Sequence, residues 1–129
     1  MRSIIITAVL VTTACAQTVA QDPPETRTVM DSVFSARQVE RGERTFAQVC
    51  TECHMPAEFS EGYMRSWVGL TVGEFVEFVR TSMPYDNPSA LRHRQYVEVV
   101  TYILFLNGLP AGPADLSAER LDSIQIVLP

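Results

Sequence analysis

The feature that most narrows what this chain can become is the run Cys50-Thr51-Glu52-Cys53-His54. Two cysteines three positions apart lie on one side of a helical turn, so both thiols can reach a common partner. The adjacent imidazole reaches towards the same place. A redox dithiol with this spacing expects a βαβ surround, and the rest of the sequence offers helices only. A zinc site needs a fourth ligand, and the other histidine and cysteine are His93 and Cys15, the latter near the N-terminus. A disulfide between residues so close in sequence is uncommon.

C-x-x-C-H is the attachment run of c-type haem. The two thiols add across neighbouring vinyl groups of the porphyrin. His54 then reaches under the ring and donates a nitrogen to the iron. One haem c, held by two thioethers, is therefore the expected cofactor.

The first twenty residues read as a secretory signal. Met1-Arg2 gives a positive start, and Ile4 to Val11 is apolar except for Thr7. That run is far shorter than the roughly 20 residues needed to span a bilayer. Ala14-Cys15-Ala16 and Thr18-Val19-Ala20 offer cleavage sites, and Cys15 offers a lipid anchor as an alternative. Residues 21–33, with Pro23-Pro24, read as a flexible leader, and residues 34–129 as the folded domain. Export to the periplasm is the consequence of this reading.

The chain has ten arginines, no lysine and a net charge of −5, which argues against nucleic-acid binding. It also excludes a docking patch ringed by lysines. An apolar fraction of 47% suits a folded globule.

The spacing predicts an all-α domain of three or four helices. Ser35 caps the first, with Gln38 completing a capping box and Phe34 and Val39 a hydrophobic staple. It runs over about 36–49. Val39, Gly42, Phe46 and Val49 share its buried face, while Arg37, Glu40, Arg41, Glu43 and Arg44 point to water. Thr71 with Glu74 caps the second, which buries Val72, Phe75, Val76 and Val79 and stops near Ser82, ahead of Pro84. The third starts between Ser89 and His93 and ends at Leu106, with Gly108 as its left-handed terminator. A helical turn comes after Ser117, and 124–128 is extended. Long loops over 50–70 and 80–92 need a surface to pack on.

The candidates for a second axial ligand are Met30, Met55, Met64, Met83 and His93. Met55 is tethered on the side of His54, and Met30 lies in the leader. Met83 lies 29 residues beyond His54 and is stiffened by Pro84, so it is the expected ligand. His93, Met64 and an open position remain as alternatives. A neutral thioether raises the reduction potential and fills the coordination sphere, which suits electron transfer rather than catalysis at iron. Trp67 is expected at the haem edge or in the core. Arg65, Arg80 and Arg92 are candidate propionate partners.

Over about 35–112 the chain resembles the class I cytochromes c. The resemblance rests on Gly42, Phe46, Cys50, Cys53 and His54, on Met83-Pro84, and on Tyr102-Ile103-Leu104 before Asn107-Gly108. Met83-Pro84-Tyr85-Asp86-Asn87-Pro88 and the stretch from Asn107 to Gly112 look more like small periplasmic cytochromes c associated with quinoprotein dehydrogenases. The resemblance implies a class I cytochrome c fold wrapped around one haem, with the first and last helices crossing at Gly42 between Phe46 and Tyr102. It implies a monomeric one-electron carrier, not an enzyme, that docks briefly on a dehydrogenase, an oxidase or another cytochrome. The competing expectations are a haem subunit of an oxidoreductase complex, a haem sensor with an open axial site, and a zinc or thiol-redox module.

Overall fold

A computed structural model describes residues 26–129. The signal segment, Cys15 and the start of the leader lie outside the described residues. The domain is mostly helical. In chain order it comprises β1 (Arg27–Thr28), α1 (Ala36–Thr45), α2 (Val72–Ser82), α3 (His93–Leu106) and β2 (Ile124–Gln125), joined by short 3-10 turns.

Each helix begins where its local chemistry dictates. The Ser35 hydroxyl accepts from the Gln38 N–H at 3.1 Å and so caps α1. The second half of the expected capping box does not form. The Gln38 amide instead exchanges two hydrogen bonds with the Leu116 backbone, at 3.0 and 2.7 Å, because that buried peptide has both groups to satisfy. At α2 the box is complete. Glu74 accepts from the Thr71 N–H at 2.7 Å, and Thr71 accepts from the Glu74 N–H at 3.1 Å. α3 stops at Asn107, and Gly108 adopts φ +76°, which lets the Leu109 N–H return to the Leu104 carbonyl.

α3 is the axis of the domain. From Tyr96 to Leu104 every residue is buried, not one face alone. α1, α2 and the turn Pro56–Phe59 all pack on it, with α1 making the most extensive contact. The two helices meet at Gly42. A Cβ on that residue would overlap the Glu98 carbonyl. Phe46 flanks the crossing, edge-on to Tyr102 with ring centres 5.5 Å apart. A glycine inside a helix costs about 1 kcal/mol relative to alanine; the close approach of the two backbones is what it permits here.

The segment expected as a flexible leader is packed from Arg27 onward. β1 pairs in parallel with β2, Thr28 caps a turn over Val29–Asp31, and Val29 and Val33 enter the core. Two isolated valines in a polar stretch carry no periodicity, so they did not register as core positions. The extended C-terminal stretch pairs on its other side with the approach to α2, through Ile126 N–H to Leu70 O at 2.8 Å and Gly69 N–H to Ile126 O at 3.0 Å. Ile124 and Ile126 are buried as a result.

Arg41 does not simply point to water. Its Nε donates to Glu98 at 2.6 Å, and its Nη2 pairs with Asp115. Arg94 donates to the same Glu98 oxygen at 2.8 Å. The Glu98 side chain is only 6% exposed. A carboxylate that far from water needs such partners.

Gly42→Ala is expected to cost about 1–3 kcal/mol, since backbone must move to admit the methyl; urea denaturation would measure the loss. A second expectation concerns acid. The Ser35 hydrogen bond, and after it Arg41, hold the Asp115 carboxyl below its ordinary value. A depressed folded pKa means that the stabilisation is present above the unfolded value of about 3.9 and is lost as pH falls through the folded value. Asp115→Asn should therefore flatten the acid limb of a stability–pH profile, measured by urea midpoints below pH 5.

Candidate functional site

α1 does not stop at Thr45. It continues through one wide turn, Phe46–Cys50, closed by Thr51 N–H to Phe46 O at 3.2 Å. Wide turns of this kind recur at functional sites. Cys50 ends it. The Cys50 carbonyl then accepts from both the Cys53 N–H at 3.2 Å and the His54 N–H at 2.9 Å, folding the run back on itself. Cys50 is half-buried, Cys53 is exposed, and neither thiol is in a disulfide. Burial pushes the Cys50 thiol above its ordinary value.

His54 is held in two ways. Its Nδ1 lies 3.1 Å from a Glu58 carboxylate oxygen, and its ring stands edge-on to Phe59 with centres 5.2 Å apart. With Nδ1 donating to the carboxylate, Nε2 keeps its lone pair for a metal. Glu58 was not among the candidates from sequence. Its signal was its position, four residues after the histidine and within a turn closed by Glu58 N–H to Met55 O at 3.0 Å.

Met83 sits on a different element. It ends α2, where its N–H donates to the Val79 carbonyl at 2.9 Å. Its own carbonyl accepts from the Tyr96 hydroxyl at 2.9 Å, and the same hydroxyl accepts from the Leu91 N–H at 3.3 Å. Tyr96 thus fastens both ends of the 83–91 loop to α3. Arg80 adds a second clasp, donating to Ser89 Oγ at 2.9 Å while pairing with Glu77 at 2.6 Å.

The other candidates fall in less suitable places. Met64 is fully buried in the core, Met55 is 67% exposed, and Met30 lies beside β1. His93 is exposed at the start of α3. Among the possible anion partners, Arg80 is committed to Glu77 and Ser89, and Arg92 bonds Gln95 at 3.2 Å. Arg65 is exposed. Trp67 is half-buried against Phe75 and Phe78, with centres 4.2 and 5.1 Å away. It belongs to a run of aromatic contacts that leads from Phe59 beside His54 through Tyr63 and Phe75. Among the described residues no three His, Cys, Asp or Glu side chains gather as a metal cluster.

Tyr96→Phe removes the shared clasp on Met83 and Leu91. It should cost about 1 kcal/mol and speed hydrogen exchange at the Leu91 amide, while amides in the middle of α1 are unaffected. Exchange followed by NMR would check both.

Compared with family models, with curated proteins and with solved structures, the chain gives no match, so the reading of the site rests on the chemistry of its residues.

Proposed function

We propose that this chain is an exported mono-haem c-type cytochrome that carries single electrons between a dehydrogenase or similar donor and an oxidase or another cytochrome. The observation that carries the reading is the run at the end of α1, with two unpaired thiols three positions apart and an imidazole directly after them. The donor set fits the group. Cys50 and Cys53 supply the thioether links, His54 supplies Nε2 because Glu58 engages Nδ1, and Met83 supplies a sulfur from a loop fastened to α3. Haem held there provides a reversible one-electron couple at iron.

The protein's own residues then do the rest. The two cysteines anchor the group through changes of redox state. Glu58 fixes the tautomer of His54 and strengthens its donation. The Met83 thioether, soft and uncharged, favours the reduced metal more than a second imidazole would. His54 and Met83 are the residues that would hold the iron, and a metal so held would have no position to offer oxygen or peroxide, which would separate a carrier from a sensor or a peroxidase. Docking must be brief, so the interface should be small. No helix among the described residues is long and apolar enough to cross a membrane.

The test is expression with periplasmic haem maturation. Wild type should retain haem on a denaturing gel, give a reduced-minus-oxidised spectrum with sharp bands, and bind little carbon monoxide when reduced. Met83→Ala should keep the covalent haem and gain carbon monoxide binding. A colourless protein with both thiols free to alkylation would overturn the proposal.

A further inference from the structure

We propose that the groove between α1 and the first turn of α3 is a binding site for a small oxyanion carrying two or more acidic groups. The groove has a volume of about 310 Å³ and is open to solvent on one side. Its walls bring together Arg41, Arg44, Arg92 and Arg94 with the amides of Gln48 and Gln95. A chain with a net charge of −5 thus gathers four of its ten arginines round one hollow.

The chemistry of the lining selects the ligand. Guanidinium groups donate only, and each presents a flat fork that matches two oxygens of a carboxylate or phosphoryl group. The only carboxylate in the lining is Glu98, and it already accepts from Arg41 at 2.6 Å and Arg94 at 2.8 Å. That leaves Arg44 and Arg92 facing the groove with charge to spare. Arg44 makes no hydrogen bond or ion pair among the described residues, and Arg92 bonds only the neutral Gln95. No acidic residue stands in the first turn of α3 beside Arg92. Arginines lining one groove add their positive potentials there, and an acceptor-only ligand is drawn to that sum.

This inference is independent of the haem reading. Calorimetric titration of the purified full-length protein, at constant ionic strength, would use pyrophosphate and citrate as separate probes. Saturable one-to-one binding of at least one probe is expected, and the comparison tells phosphoryl from carboxylate oxygens. Arg44→Ala and Arg92→Ala should each weaken it about tenfold, since each removes a charge-assisted hydrogen bond. Both side chains are exposed, so the fold should hold, and circular dichroism would verify that. Arg37→Ala is the control, because Arg37 is an exposed α1 arginine outside the groove. Absence of saturable heat with both probes would overturn the proposal. So would equal weakening by Arg37→Ala, since that signals general attraction to positive charge.

Discussion

The close crossing of α1 and α3 at Gly42 governs the rest of the domain. Removing one side chain lets two backbones approach until a methyl group could not pass between them. That approach brings Phe46 against Tyr102 and carries Arg41 to Glu98, so the apolar seam and the polar network share one geometry. It also sets where α1 ends relative to α3, and the end of α1 is where the cysteine run begins. The same α3 holds Tyr96, which fixes the Met83 loop. Two pieces of chain distant in sequence are therefore referred to a single helix.

The cost of burying Glu98 is offset by partners drawn from both helices. Arg41 reaches it from α1 and Arg94 from one turn earlier on α3. Arg41 then extends the chain of contacts to Asp115, and Asp115 to Ser35, the cap of α1. The cap is thereby linked to the crossing. Glu98 is the buried charge of the network, at 6% exposure, and the two arginines share its neutralisation, so losing both would leave a carboxylate poorly solvated and unpaired.

Helix limits were legible in the sequence because they are local. Ser35, Thr71 with Glu74, and Gly108 each act within a few residues of themselves. The buried face of α2 was legible for the same reason. The features that escaped were set by distant chain. Arg41 looked like a solvent residue, since its partners lie 57 and 74 positions away. Val29 and Val33 join the core only because β2 returns to pair with β1. α3 is enclosed all round from Tyr96 to Leu104 because α1 and α2 both pack on it, which no pattern local to that helix foretells. At the candidate site, the nearness of Cys50, Cys53 and His54 follows from their spacing alone. The role of Tyr96 does not, because the atom it binds is the Met83 carbonyl, which is common to every residue type.

The wide turn at Phe46–Cys50 shows how the packing and the site are reconciled. In an uninterrupted helix Phe46 and Cys50, four apart, would share a face. Phe46 must stay in the seam against Tyr102. The extra residue in the turn rotates the chain beyond it by about 100° relative to a regular helix. Cys50 is left half-buried and Cys53 exposed. The helix can thus be clamped at Gly42 and Phe46 while Cys50 stays against the edge of the core and the chain after it carries Cys53 to the surface. A regular helix carried through to Cys53 would have to give up one of those requirements for the other.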